Sequence, residues 1–224
     1  MSTNEATTLD TTEAASRTTT VASRTRLAGL AGIGAGAGLV IGHLLTVDPN
    51  QSQTTYLSAL DAHQAIGVSG GLTTAAGAFL LLPALTGILG LVRARGASHA
   101  TAGAVLAGVG IAALGAGTVL ITLVMGALVR ADPPTAAAVF ADANTNAPLL
   151  TLVFALTPLF VIGSVLLGIA LIRSRAVPVW TAALLIVGSV LVPFSGGGGP
   201  VAALTLLPLG AALALIGGRV TRSV

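Results

Sequence analysis

Six long blocks of this chain contain no Asp, Glu, Lys or Arg and are rich in Ala, Gly, Leu and Val. Each is close to the ~17 to 25 residues that an α-helix needs to cross ~30 Å of hydrocarbon. Backbone groups find no hydrogen-bond partners in lipid, so each block must be helical, and the blocks are too long for ~10-residue barrel strands. The sequence predicts an all-α polytopic membrane protein. The blocks are residues 27–47, 65–92, 100–129, 149–172, 177–194 and 200–218.

Charged residues are too few to build a surface that faces water. They make up 8% of the 224 residues, against 54% hydrophobic residues, whereas a soluble domain carries roughly a quarter of its residues as charged side chains. The mean hydropathy of +0.96 agrees with this. Lipid is therefore the expected solvent for most of the chain.

The basic residues, all of them Arg, follow the alternation that six spans require. If the chain starts inside the cell, the N-terminal tail, the second and fourth loops and the C-terminus should hold the cations. Only Arg130 falls on the outer side, and Asp48, Asp61, Asp132 and Asp142 lie in the two long outer loops. The sequence therefore predicts that both termini are cytoplasmic. The inner set is Arg17, Arg24, Arg26, Arg93, Arg95, Arg173, Arg175, Arg219 and Arg222.

The predicted organisation is a tail, a membrane domain and a short end. Residues 1–26 are Thr- and Ser-rich without an apolar period, which predicts a disordered cytoplasmic tail. Residues 27–218 form the six spans, arranged as three hairpins because several connections are short. Residues 219–224 are the cytoplasmic C-terminus. Glycines on two faces of the first span predict that neighbours enclose it, which favours a central position for it.

The outer loops offer candidates for a binding site. Residues 55–64 and 135–143 are predicted to form short surface helices, the second one behind Pro133 and Pro134. The predicted topology brings two imidazoles and several charges to this side, where they would form an outer-face polar cluster for a cation, a small ligand or a lipid headgroup. Interfacial anchoring is the simpler interpretation, and without metal-ligand spacing we predict no metal and no cofactor. The cluster is His43, Asp48, Asp61, His63 and Arg130.

Several functional classes lack the residues that they need. Cysteine is absent, which excludes thiol nucleophiles and thiolate metal sites. No nucleophile and base, and no pair of carboxylates, occur together at membrane depth. His99 lies on the inner side, which leaves at most one outer pair of His, whereas a membrane cytochrome needs paired His on facing helices. Nucleic-acid binding needs clustered cations with aromatic partners, but aromatic residues are only 3% here. We therefore predict that the chain is not an enzyme and binds no nucleic acid.

Prolines inside three spans leave transport open as an alternative. Pro83, Pro158 and Pro208 each remove a helical hydrogen bond, and transporters use such breaks at midplane sites. The run Ser-Gly-Gly-Gly-Gly-Pro at residues 195–200 would suit a flexible gate. Against this, no Asp, Glu, Lys or Arg lies in the middle of a span, where coupled carriers usually have one.

The layout resembles small, uncharacterised six-span integral membrane proteins of high-GC bacteria. The features that carry the likeness are the polar head, the Ala/Gly/Leu/Val spans and Arg pairs such as Arg93-Ala94-Arg95 and Arg173-Ser174-Arg175. It covers residues 27–218. The resemblance implies a multi-pass protein of a bacterial plasma membrane and assigns no site residue.

The leading prediction is a non-enzymatic accessory, interaction or envelope component. Its expected partners are the lipid bilayer and either a second copy or another membrane protein. A small-molecule transporter or facilitator is the alternative, and a membrane enzyme that uses His43 or His63 is the third hypothesis.

Overall fold

The computed structural model describes residues 3–48, 51–92, 96–145, 147–195 and 198–223, and all regular structure in these ranges is helical. This confirms the all-α prediction. Its helices are α1 (Thr3–Leu45), α2 (Gln53–Ala62), α3 (Gln64–Leu91), α4 (Ala97–Ala131), α5 (Pro133–Thr145), α6 (Ala147–Ser174), α7 (Val179–Leu191) with a 3-10 turn at Val192–Phe194, and α8 (Gly199–Arg222).

Five helices are long and apolar enough to cross a membrane. They are Val21–Leu45 within α1, α3, α4, Leu156–Ser174 within α6, and α8. The sixth predicted span corresponds to the shorter apolar helix Val179–Phe194, formed by α7 and its 3-10 turn. At 1.5 Å per residue α7 alone extends only about 20 Å, because Pro178 precedes it and Pro193 ends its regular hydrogen bonding.

Five helices surround a common apolar centre. Helix α3 packs on α4, α4 on α6, α6 on α7 and α7 on α8, while α3 and α8 touch each other and close the ring. Consecutive long apolar helices pack on each other in the pairs α1 with α3 and α4 with α6, and α7 packs on α8. The core consists of large buried side chains such as Leu81, Phe160, Leu167, Leu209 and Leu213.

Helix α1 lies outside this ring, in the groove between α3 and α8. The predicted central position is therefore wrong, although the two predicted glycine faces do meet two neighbours. A Cβ added at Gly36 would lie 2.5 Å from the carbonyl oxygen of Gly210 in α8, and one at Gly38 would lie 2.9 Å from the Cα of Gly77 in α3. Because small residues occupy both contacts, the large residues of α1, such as Leu30 and Ile41, remain exposed on its third face.

Helix α1 also begins earlier than the first predicted span. It starts at Thr3, so residues 3–26 are helical, whereas their composition predicts a disordered tail. No glycine or proline occurs before Gly29. Once the apolar part of α1 has formed a helix, the helix can therefore extend toward the N-terminus without an interruption.

Candidate functional site

A helical cap covers one end of α3 and α4. The cap consists of α2 and α5, the two short helices predicted in the long loops, and an apolar cluster separate from the main core holds it in place. Gln53 Nε2 donates a hydrogen bond of 2.8 Å to the carbonyl oxygen of Ala137, which joins the two helices directly. The members of this cluster are Tyr56, Leu60, Met125, Val129 and Ala136.

An aromatic pair adds a second link between the two cap helices. The rings of Tyr56 in α2 and Phe140 in α5 are stacked, with centroids 4.9 Å apart and planes inclined by 26°. Tyr56 is only 8% exposed. Burial disfavours the phenolate and raises the pKa of Tyr56 above its ordinary value.

Asp132 initiates α5. Its Oδ1 accepts the backbone N–H of Thr135 at 3.2 Å, and its Oδ2 accepts the Thr135 hydroxyl at 2.5 Å. Pro133 and Pro134 follow directly, at positions where an N–H would have no helical partner. The side-chain and backbone hydrogen bonds from Thr135 lower the pKa of the Asp132 carboxyl. This carboxylate is therefore committed to capping a helix.

The two imidazoles of the predicted outer-face polar cluster have different surroundings. His43 Nδ1 lies 2.8 Å from the carbonyl oxygen of Leu39 and 3.5 Å from Thr74 Oγ1, at the contact of α1 with α3. His63 is exposed at the junction of α2 and α3. Across the described ranges, no three His, Asp or Glu side chains lie close enough to hold a metal ion.

The charged members of that cluster are also separated. Asp61 lines an open cavity of about 220 Å³ in the cap, between α2, the end of α4 and the start of α5. Asp48 lines a different cavity of about 270 Å³, between the end of α1 and the start of α8. Arg130 is exposed at the end of α4. Of the predicted cluster, two members thus line separate cavities, one lies at a helix contact and two are exposed at helix ends.

Part of the glycine run packs against the end of α1. The Gly199 N–H donates to the carbonyl oxygen of Thr46 at 2.9 Å, and Gly199 has a φ of +81°, which favours glycine. A Cβ at Gly198 would lie 2.7 Å from the carbonyl oxygen of Val47. Residues 196 and 197, the middle of the predicted gate, lie outside the described residues.

The apolar centre of the bundle leaves little free volume. The cavity there measures about 10 Å³, at the lower limit for a single water molecule, ~10–15 Å³. Leu81, Leu85, Phe160 and Leu209 are among the side chains that fill it. Helices α3, α6 and α8 continue through Pro83, Pro158 and Pro208. The centre is therefore packed rather than hydrated.

The cap contacts were not identified from the sequence, although its two helices were. Gln53 and Ala137 are 84 residues apart, and neither lies in a motif. The one sequence feature that could have indicated contact between these helices was a single aromatic residue in each of them.

Comparisons with family models, with curated proteins and with solved structures give no match for this chain.

Proposed function

We propose that this chain is a non-enzymatic accessory component of a bacterial plasma membrane, with six spans and both termini in the cytoplasm, and that the cap contacts a second copy or another membrane protein. The observation that carries the proposal is the contrast between a packed apolar centre and a separately stabilised cap. The cavity at the centre measures about 10 Å³, which leaves no space for a ligand larger than a water molecule, whereas the cap has its own apolar cluster and an open cavity. Interaction chemistry is thus concentrated outside the spans.

The distribution of Arg supports this orientation. A Cβ at Gly29 would lie 2.6 Å from the carbonyl oxygen of Gly217, so the start of the α1 span and the end of α8 are adjacent. Arg173 Nη1 lies 3.3 Å from His99 Nε2 where α6 ends and α4 begins. The cap and Arg130 are at the opposite end of α4. Under the positive-inside rule, the end with more Arg faces the cytoplasm.

Labelling of single cysteines tests the topology directly, because the chain has no cysteine of its own. Ser58→Cys in the cap should react with a membrane-impermeant maleimide in intact cells, and Ser98→Cys at the start of α4 should react only after permeabilisation. If α7 crosses the membrane, Phe194→Cys should react in intact cells and Ser174→Cys should react only after permeabilisation. Equal labelling of that last pair would reduce the spans to five and move the C-terminus outside.

The partner is tested by photo-cross-linking from the cap. A benzophenone amino acid at Val139, which is 36% exposed on α5, should capture one discrete species in native membranes, and the same group at Val105 on α4, 60% exposed, should capture mainly lipid. Recovery of a monodisperse monomer that turns over a substrate would contradict the accessory role.

One observation favours the alternative of a small-molecule transporter. Pro83 lies between Leu81 and Leu85, and Pro208 is next to Leu209, so two prolines, each of which removes a helical hydrogen bond, flank side chains that line the central cavity. Bending of the helices at these prolines would open the centre. Proteoliposome flux that disappears on Ala replacement of Pro83, Pro158 and Pro208 would support transport, and flux that survives the replacement would remove its structural basis.

A further inference from the structure

The cap cavity combines apolar walls with one carboxylate. Leu57, Val129 and Pro133 supply hydrocarbon surface, and Ser58 and Asp61 supply oxygen atoms. At about 220 Å³, the open cavity far exceeds the ~10–15 Å³ that a single water molecule needs. A ligand that suits it has a small apolar body and one polar group.

Asp61 differs from the other three outer acids in having no partner among the residues that the structure describes. Asp132 caps α5, and Asp48 and Asp142 each interact with another group. Asp61 makes no hydrogen bond or ion pair with any residue that the structure describes, and its side chain is exposed at the cavity. Its carboxylate is therefore available to an external ligand.

Backbone dipoles at the cavity favour a cation. Asp61 is in the last turn of α2, which ends at Ala62, and Val129 is in the last turn of α4, which ends at Ala131. Both helix ends carry partial negative charge from unpaired carbonyl groups. The N-terminus of α5 also borders the cavity, but the Asp132 carboxylate already caps it.

A metal ion does not fit this arrangement. Ca²⁺ takes about six to eight oxygen ligands, and Mg²⁺ bound through a single carboxylate keeps most of its waters, so one carboxylate and one hydroxyl would not hold either ion as a specific site. Ser58 Oγ donates to the carbonyl oxygen of Thr55 at 3.0 Å, which leaves its lone pairs free to accept an N–H. An ammonium group needs only such acceptors and tolerates hydrocarbon beside it.

We propose that the cavity between α2, α4 and α5 binds an organic ammonium group, with Asp61 as its counter-ion and its hydrocarbon against Leu57 and Val129. The ligand is a soluble primary amine or the amine of an aminophospholipid headgroup, which share this chemistry. The inference deepens the proposed role of the cap and rests on it for the side of the membrane from which the ligand arrives.

Titration calorimetry of the full chain in detergent tests the site with n-butylammonium as the probe. Binding should be saturable, and n-butanol, which has the same body without the charge, should not bind. Asp61→Asn should weaken binding about three- to tenfold, the loss expected for a charge-assisted hydrogen bond at a partly exposed site. The matched control is Asp142→Asn, which removes the same charge from the cap outside the cavity and should leave the affinity unchanged.

Absence of saturable binding, equal loss in both variants, or equal binding of n-butanol would overturn the proposal. Unchanged thermal unfolding of Asp61→Asn shows that any loss is local. Native mass spectrometry with phosphatidylethanolamine or phosphatidylglycerol identifies the source of the amine. If the protein retains phosphatidylethanolamine and n-butylammonium displaces it, the ligand is a lipid. If the protein binds the amine but retains no lipid, the ligand is soluble. Because binding in detergent needs neither orientation nor a partner, its outcome is independent of the topology and cross-linking experiments.

Discussion

At the scale of single residues, glycine decides how closely α1 approaches its neighbours. In lipid no hydrophobic force drives helices together, so close backbone approach and dispersion must do so. Gly36 meets the backbone of Gly210 with no room for a side chain, whereas a Cβ placed at Gly117 would have no neighbouring atom within 4 Å. Two glycines in similar apolar helices thus have different structural roles.

Replacing Gly36 by Ala should destabilise the protein by about 1 to 3 kcal/mol, because the new methyl group would lie 2.5 Å from the carbonyl oxygen of Gly210 and the two backbones must separate. Thermal unfolding in detergent measures this. Gly117→Ala is the control and should be neutral or stabilise by up to about 1 kcal/mol through helix propensity. Equal destabilisation by both substitutions would argue against close packing of α1 on α8.

Asp132 gives α5 a dependence on pH. Its pKa is lowered in the folded protein by the hydrogen bonds from Thr135, so its stabilising effect is complete above the unfolded pKa and is lost as the pH falls through the folded pKa. Asp132→Ala should therefore speed hydrogen exchange in α5 at neutral pH. Asp132→Asn, which still accepts a hydrogen bond, should have a smaller effect.

The same comparison at acidic pH provides the check on that prediction. The exchange rates of the parent and Asp132→Ala should converge as the pH falls below the pKa of the native carboxyl, because the protonated acid no longer caps as a carboxylate. A difference between the two proteins that stays constant over the whole range would mean that the charge of Asp132 has no part in holding α5.

At the scale of elements, the cap consists of two short helices, and each depends on packing for its helical structure. Helix α2 has 10 residues and α5 has 13, and isolated helices shorter than ~12–15 residues are marginal in water. Their order comes from packing on α4 and from the stacked pair Tyr56 and Phe140. Loss of either ring should loosen both helices together.

Removing the Phe140 ring should move the pKa of Tyr56 down toward its ordinary value, because burial is what raises it. Tyr56 is the only tyrosine in the chain, so absorbance titration at alkaline pH reports it alone. Phe140→Ala should also cost about 1 kcal/mol or more of stability. Phe194→Ala, at an exposed position near α7, should leave the titration unchanged, and an equal shift in that control would refute the link between the two cap helices.

At the scale of the whole molecule, the sequence predicted the helical class and the long apolar helices, five of which are long enough to cross a membrane, but not the position of the first of them. Blocks without charge have few alternatives in lipid, so their helical structure follows from composition. The glycines of α1 predicted two neighbours, but a residue pattern cannot show that those neighbours also touch each other and exclude α1 from the centre.

The candidate site was predicted less well than the fold. Asp61 and Asp48 share a side of the molecule in the sequence analysis, yet they line separate cavities. Whether they meet depends on where α2, α5 and the end of α1 pack, and the contacts that fix these positions join residues far apart in the chain, such as Gln53 and Ala137. Residue type indicated candidate ligands, whereas tertiary packing determined which of them can act together.

A chain that ends at residue 195, without α8, should leave one face of α1 uncovered. Val40→Cys, on the face that meets Gly210, should react faster with a small thiol reagent in detergent in the shortened chain than in the full one. Ile41→Cys, on the face that is 49% exposed, should react equally in both. Equal rates at position 40 would show that α8 does not cover α1.

The position of α1 against α8 has a consequence for biosynthesis. During translation α1 enters the bilayer before α3 and can pair with it within one further span, but its second partner, α8, follows only after α7. Until then the row of glycines that includes Gly29 and Gly36 faces acyl chains, which pack poorly against so smooth a surface. The insertion of α8 therefore joins two helices that are far apart in sequence, and a ribosome that stalls before α8 leaves α1 without one of its two partners.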